Sequence, residues 1–219
     1  MNPRGKESKM SKKGRVLVAM SGGIDSTVTA MILHEQGYEV VGITMKTWDY
    51  ANSGGSKKET GCCSLDSIND ARAVAVHMGF HHFIVDIRED FGDFVIDNFV
   101  DEYMAGRTPN PCVLCNTHIK WNSLVKRADA MDCEFIATGH YARINWRGED
   151  AAGNLRTVND INSVPHGSLE PGGRYYIGKS ADDKKDQSYV LWGLTQECMA
   201  RSRFPLGHMT KPEVRQLAY

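Results

Sequence analysis

Cysteine is scarce, with six in 219 residues, too few for the disulfide framework of a small secreted scaffold. Proline stands at seven, and no apolar run approaches the roughly 20 residues that a membrane helix requires. Charge of one sign is also missing: 26 Lys and Arg against 27 Asp and Glu leave a net −1. That balance excludes a chain that coats nucleic acid through its overall charge, so any polyanion must be met by a local patch. Met1–Arg15 is polar and basic and lacks the apolar stretch of a secretory signal. These absences point to a cytoplasmic, reducing setting in which cysteines are unbridged, metal-bound or catalytic.

What is present is alternation. Met1–Gly14, rich in Lys, Ser and Gly, reads as a disordered basic tail. Arg15–Met20 is a short buried strand, and Val28, Met31, Ile32 and Leu33 mark an amphipathic helix over Asp25–Gln36 that Gly37 stops. Tyr38–Met45 is the next strand, followed by a Gly/Ser/Lys-rich loop over Thr47–Cys62. Helices are expected over Ser64–Met78, Phe91–Met104 and Asn116–Met131, and strands over His82–Asp86 and Glu134–Thr138. Strands alternating with helices predict an α/β fold, a parallel twisted sheet with helices on both faces, whose ligands bind beyond the carboxyl ends of the strands.

After Arg143 the alternation breaks. Asn145–Gly173 is polar and glycine-rich and reads as a hairpin or loop excursion within a body spanning 15–198. Arg174–Gly178 is strand-like and Lys184–Leu194 looks helical. Pro212 suits the first position of a helix that is cut in mid-course at Tyr219.

Ser21-Gly22-Gly23-Ile24-Asp25-Ser26 joins the first strand to the first helix. Glycines let successive N–H groups turn into one concavity, and the helix N-terminus adds partial positive charge, so the turn is an anion cradle with phosphate as its natural ligand. Ser21 and Ser26 supply hydroxyls, and Asp25 is placed to cap the helix or to help hold Mg²⁺. A second string, Gly173-Arg-Tyr-Tyr-Ile-Gly178-Lys179-Ser180, fits the pattern G-x-x-x-x-G-K-[ST]. Its bulky, β-prone middle suits a strand and not a phosphate-wrapping loop.

The second informative stretch is Gly106-Arg-Thr-Pro-Asn-Pro-Cys112-Val-Leu-Cys115-Asn116. Pro109 and Pro111 hold the backbone extended, and Asn116 can cap the helix that follows. Cys115 then lies near a helix N-terminus, where the dipole favours thiolate, with Arg107 and Lys120 as sources of further positive charge. Cys112 and Cys115 are compatible with half a zinc site completed by His118 and other cysteines, with a redox dithiol, or with a reactive sulfur carrier; spacing alone does not separate the last two. Cys133 and Cys198 read as small buried hydrophobes.

The turn after the first strand resembles the pyrophosphatase loop (PP-loop) of the N-type ATP pyrophosphatases, which have an adenine nucleotide alpha hydrolase-like fold. More closely, Ala19-Met-Ser-Gly-Gly-Ile-Asp-Ser26, Gly42-Ile-Thr-Met45-Lys-Thr-Trp48, Ala105-Gly-Arg-Thr-Pro-Asn-Pro, Leu114-Cys115-Asn116, Ile119-Lys120-Trp121, Ala137-Thr-Gly-His-Tyr141 and Lys185-Asp-Gln-Ser-Tyr189 occur in order. Together they are similar to the tRNA-specific 2-thiouridylase family, from about Arg15 to the end of the chain.

The resemblance implies ATP and Mg²⁺ as cofactors, with tRNA (its wobble uridine) and a persulfide sulfur donor protein as partners. It implies adenylation of the uracil C2 oxygen with release of pyrophosphate, then displacement of AMP by sulfur. By matching position, it assigns ATP contacts to Ala19, Met20, Ser21, Gly22, Gly23, Ile24, Asp25, Ser26, Met45 and Gly139. It assigns target-base contacts to Asn110, Pro111 and Cys112, other tRNA contacts to Lys185, Asp186 and Gln187, and a nucleophilic role to Cys115. Cys115 would attack the persulfide or form the disulfide that releases sulfur. Cys112 stands where some relatives carry an acid/base Asp, so it becomes a second catalytic candidate. The family's Ser-Thr-Gly-x-Cys motif, which brings in sulfur, does not occur in this sequence. Residues 199–219 would then open a truncated central domain that precedes a C-terminal β-barrel, and the chain would bind ATP without completing thiolation.

Overall fold

The computed structural model describes residues 13–47, 65–150, 152–165 and 167–218. Strand β1 (Arg15–Ala19) leads into α1 (Ile24–Glu35), β2 (Glu39–Lys46), α2 (Leu65–Met78) and β3 (His81–Asp86). A helical run follows, α3 (Arg88–Phe91), a π-helical turn over Gly92–Ile96, and α4 (Asp97–Met104). A second run joins α5 (Pro111–Leu114), a π-helical turn over Cys115–Lys120 and α6 (Trp121–Ala130), and returns to β4 (Phe135–Thr138). Strands β5 (Ala142–Glu149), β6 (Leu155–Val158) and β7 (Arg174–Lys179) come next, then α7 (Gln196–Arg201), β8 (Ser202–Arg203) and α8 (Lys211–Leu217).

The main sheet is parallel throughout, in the order β3-β2-β1-β4-β8. Val16, Leu17 and Val18 of β1 have no exposed surface, as expected of a strand covered on both faces. On one face, Leu17, Ile43 and Ile136 pack with Trp121, Leu124 and Ala128 of α6. On the other, Val16, Val18 and Phe135 pack with Ala30 and Leu33 of α1 and Ala71 of α2. The expected α/β architecture, a parallel sheet between helices, is the one observed. Strand order reverses between β2-β1 and β1-β4, so the crevice beyond the carboxyl ends of β1 and β4 is where such folds bind ligands.

The polar excursion after Arg143 forms a three-stranded antiparallel sheet, β6-β5-β7. Gly173–Ser180 runs mainly as strand β7, so the P-loop string is not a loop. The tail expected through Gly14 lies outside the described residues except at its end, where the Gly14 carbonyl accepts from Glu39 N at 3.1 Å. The loop over Thr47–Cys62, with Cys62 and Cys63, lies outside them beyond Thr47.

Three local expectations are corrected. Lys184–Leu194 is not a helix: only Ser188–Leu191 makes a single 3-10 turn. The Asp182 carboxylate accepts from Lys184 N at 3.0 Å and Asp186 accepts from Ser180 N at 2.8 Å, and such side-chain bonds compete with the helical ladder. The helix expected from Asn116 starts five residues earlier at Pro111, because Asn110 supplies its cap. Pro212 occupies the second position of α8, after Lys211. Residues 199–218, assigned by the resemblance to the start of a further domain, add β8 beside β4 and pack Leu206 and Val214 against Val28 of α1.

Phe204 sits at the centre of this junction, fully buried, with its ring edge-on to Trp121 (5.9 Å between centroids) and to His140 (6.0 Å). His140 is itself buried, its Nδ1 2.6 Å from Thr138 Oγ1. Burial, and secondarily the charge of Lys120, hold its pKa well below the ordinary 6.5. His82 is shifted the same way by burial and Arg72.

Phe204→Ala is expected to lower the unfolding free energy of the whole chain by about 3–5 kcal/mol in urea. A main transition left unchanged would show that residues 199–218 are not part of this core. The unfolded chain takes up a proton on each histidine near 6.5 while the fold resists it, so the histidines' contribution is complete above that pH and is lost as pH falls below it. Unfolding free energy is therefore expected to decline between about pH 7 and pH 5, by at most ~1.4 kcal/mol per pH unit per histidine. His140→Asn should flatten that decline, and a slope unaltered by the substitution would contradict the assignment.

Candidate functional site

The chain leaves β1 through Met20 and Ser21 and enters α1 after Gly23, the helix N-cap. Gly22 has φ +74, and a Cβ there would lie 2.1 Å from the Ser67 carbonyl oxygen of α2, so both backbone conformation and packing require glycine. A Cβ on Gly139, just past β4, would approach Asp25 C at 2.9 Å and Ser26 N at 3.0 Å. These two glycines let α2 and the end of β4 close on the turn from two sides. The third side is open: Gly23 and Ile24 are exposed, and a Cβ on Gly23 would meet only Ser21 Oγ, at 3.5 Å.

Side-chain bonds within the turn hold it in shape. Ser21 N donates to Ser26 Oγ at 3.1 Å, and the Ser26 hydroxyl donates to the Gly23 carbonyl at 2.9 Å. No side chain caps α1. Helical geometry gives its first N–H groups no intrahelical acceptor, so donors and the positive end of a 12-residue helix face the opening. A phosphate fits this arrangement.

Asp25 does not play the part expected of it. Its Oδ1 accepts from the Tyr141 hydroxyl at 2.8 Å and from Lys211 Nζ at 2.6 Å, and it does not cap α1. Among the described residues no three His, Cys, Asp or Glu side chains gather to hold a metal. Tyr141 is buried, and burial with the bond to Asp25 pushes its pKa up, which keeps it a donor.

Ala19 and Met20 are buried, so their share in any nucleotide site is through backbone. Met20 is fixed there: its N donates to Ile43 O at 2.8 Å and its carbonyl accepts from Thr44 Oγ1 at 2.8 Å. Met45, half-buried, packs with Val85 and Cys115 against Ile87, Val95 and Ile119. The structure thus brings one expected nucleotide-side residue and the expected nucleophile to a common apolar cluster.

Asn110 begins the cysteine-bearing helix, its Oδ1 accepting from Val113 N at 3.3 Å. Pro111 takes the first position, and exposed Cys112 lies in the first turn. Cys115 follows one turn on, partly buried, where the helix widens into its π turn, a distortion that recurs at functional sites. Asn116 does not cap: its Nδ2 donates to the Cys112 carbonyl at 2.8 Å. Its Oδ1 and Thr117 Oγ1 are buried acceptors without a hydrogen-bond partner.

Cys112, Cys115, Cys133 and Cys198 carry thiols, not disulfides. Cys133 is buried, with its thiol pushed up to about 11 by desolvation, which makes it inert; Cys198 is only partly buried. Arg107 does not fold back toward Cys115. Itself exposed, it forks onto half-buried Glu102 through Nε and Nη2, at 2.6 and 2.7 Å.

Asn110 and Lys185 are exposed, and Pro111 is half-buried. Asp186 and Gln187 are committed to the turn they lie in: Asp186 accepts from Ser180 N and from the Ser188 hydroxyl, and Gln187 Oε1 accepts from Tyr141 N at 3.0 Å. The chain that follows, after the 3-10 turn Ser188–Leu191, abuts the cysteine helix, since a Cβ on Gly193 would strike Thr117 Cγ2 at 2.4 Å. Sequence reading overlooked Lys211, which lies 186 residues from Asp25 and carries no motif. Tyr141 ends a quoted motif but was given no role.

The sequence profile of the tRNA methyl transferase HUP domain matches residues 14–219. The tRNA-specific 2-thiouridylase MnmA of Cytophaga hutchinsonii is 63% identical over 209 residues, 95% of this chain and 50% of that protein. Its counterpart from Amoebophilus asiaticus is 62% identical over 207 residues, 94% of this chain and 49% of that protein. The chain spans about half the length of the curated relatives it matches. Among solved structures, a subunit of a tRNA methyltransferase from Methanocaldococcus jannaschii aligns over 94% of this chain and 74% of its own, at 20% identity and a TM-score of 0.46. The chain belongs to the tRNA methyl transferase HUP-domain family, and its likeness to the tRNA-specific 2-thiouridylases extends over nearly its whole length.

Proposed function

We propose that this chain is the nucleotide-binding part of a tRNA 2-thiouridylase and that ATP lies with its phosphates on the Ser21–Ser26 turn. The observation that carries the reading is the uncapped start of α1, open at Gly23 and closed by Gly22 and Gly139 elsewhere. Its chemistry is charge stabilisation: fixed N–H donors and the helix dipole face a polyphosphate, where negative charge builds as pyrophosphate departs. Among the described residues no cluster of three ligands gathers, so Mg²⁺ would be held mainly by the phosphates of ATP and would supply charge neutralisation there.

The uracil C2 oxygen attacks the α-phosphorus, the bond to the β-phosphate oxygen breaks, and pyrophosphate leaves. Adenylation turns that oxygen into a leaving group. The outer sulfur of a persulfide then bonds to C2 as AMP departs with the oxygen, and the persulfide S–S bond breaks as the Cys115 thiolate attacks the inner sulfur, forming a disulfide and leaving the outer sulfur on C2. The uridine must leave its stack to reach these groups. Asn110, Pro111 and Cys112 present an accessible edge to it, and Lys185 offers a cation to the tRNA backbone. Cys115 handles sulfur, beside Met45 and one helical turn from Cys112. Without a Ser-Thr-Gly-x-Cys motif, these residues bind ATP and leave thiolation incomplete.

Gly23→Asp separates binding from folding. An Asp at this N-cap can accept from the amides of α1, so the melting temperature should hold or rise, while its carboxylate occupies the phosphate position. ATP affinity by calorimetry should fall at least ~10-fold, about 1.4 kcal/mol. Equal affinity in the variant would place ATP elsewhere. Cys115→Ser should leave ATP affinity unchanged within ~2-fold, because the thiol acts after nucleotide binding. With tRNA, ATP and a persulfide donor, mass spectrometry should find no 2-thiouridine; robust product would overturn the incomplete-thiolation reading.

A further inference from the structure

Asp25 belongs to the phosphate-binding turn, yet its carboxylate faces away from the opening, toward two residues that the proposed chemistry does not use. Tyr141 donates to it from the start of β5, and Lys211 reaches it from the first position of α8. The Lys211 ammonium also stands over the Tyr141 ring, 5.9 Å from its centroid. Asp25, Tyr141 and Lys211 therefore form one closed group under the turn.

Both partners continue to the same place. Tyr141 is paired with Gln187 by two backbone-anchored bonds: Tyr141 N donates to Gln187 Oε1 at 3.0 Å, and Gln187 N donates to the Tyr141 carbonyl at 2.8 Å. Lys211 N donates to Asp182 Oδ2 at 3.0 Å, while the other carboxylate oxygen of Asp182 accepts from Lys184 N and its carbonyl accepts from Lys185 N. Two separate routes thus run from one carboxylate in this turn to the two half-buried ends of the segment Asp182–Gln187, whose middle, Asp183–Lys185, is exposed.

We propose that Tyr141 and Lys211 are positioning residues that couple nucleotide occupancy of the Ser21–Ser26 turn to the order of the segment Asp182–Gln187, and so to its readiness for a polyanionic partner; this rests on the ATP reading above. A polyphosphate at the start of α1 adds negative charge beside Asp25. The Lys211 ammonium and the Tyr141 hydroxyl are the groups that compensate that carboxylate, so their hold on it strengthens when the anion arrives. Each is anchored to the segment at its other end, so tightening one end restrains the other. The coupling is reciprocal: a ligand that orders Asp182–Gln187 favours the nucleotide by the same factor.

Amide hydrogen exchange of the whole chain, with and without a non-hydrolysable ATP analogue, tests this without any RNA. In the wild type, amides of both 21–27 and 182–188 should slow on adding the analogue, the latter by ~5-fold or more. Tyr141→Phe and Lys211→Met should each keep the protection of 21–27 and reduce that of 182–188 to under ~2-fold. Lys211→Arg, which keeps the charge, should restore most of it. Unchanged exchange in β1 and β4 shows that the variants are folded. Protection at 21–27 without protection at 182–188, or equal protection in the Phe and Met variants, overturns the coupling and leaves the ATP reading standing. No protection at 21–27 in the wild type overturns both.

Discussion

The start of α1 points backbone N–H donors at an opening that no side chain among the described residues caps, and the surrounding structure preserves that condition. An uncapped helix end carries a cost, since Ser, Asp or Asn at Gly23 would satisfy donors that Gly23 leaves unmet. Glycine at 22 permits the left-handed backbone and the contact with Ser67, and glycine at 139 lets β4 end directly against Asp25 and Ser26. The sheet does the rest: β1, buried on both faces, sets the turn at the carboxyl edge where the strand order reverses.

Around this opening the fold gathers segments that are far apart in sequence. The cysteine helix packs on the apolar cluster of Ile87, Val95 and Ile119, against which Met45 of β2 and Cys115 both lie. The turn that carries Lys185 is held by Gln187 to Tyr141, just before β5, and the chain beyond it meets the cysteine helix where Gly193 faces Thr117. Asp25 sits where these connections converge. Its ties to Tyr141 and Lys211 make it a structural link between the turn after β1 and α8.

The parts of this structure legible in the sequence are those with a local cause. Apolar runs ending at Gly22 and Gly37 mark β1 and α1 because burial period and glycine punctuation act within a few residues. The phosphate turn is legible for the same reason. The start of the cysteine helix was misplaced because Asn110 and Asn116 are both good caps; Pro111, favoured in the first helical position, decides for Asn110. Lys184–Leu194 has helical composition, but Asp182 and Asp186 bond to Lys184 N and Ser180 N and hold the chain in a turn instead. Strand β8 is two residues long, too short to show a period, and the pairing of Lys211 with Asp25 exists only because α8 folds back on α1.

A crystal structure of the chain with a non-hydrolysable ATP analogue examines the central claim directly. The account predicts phosphate oxygens within hydrogen-bond distance of the backbone N–H groups of residues 23–26, with Asp25 still bound to Tyr141 and Lys211. Nucleotide density at another place, with the Gly23 opening filled by protein side chains, would contradict it.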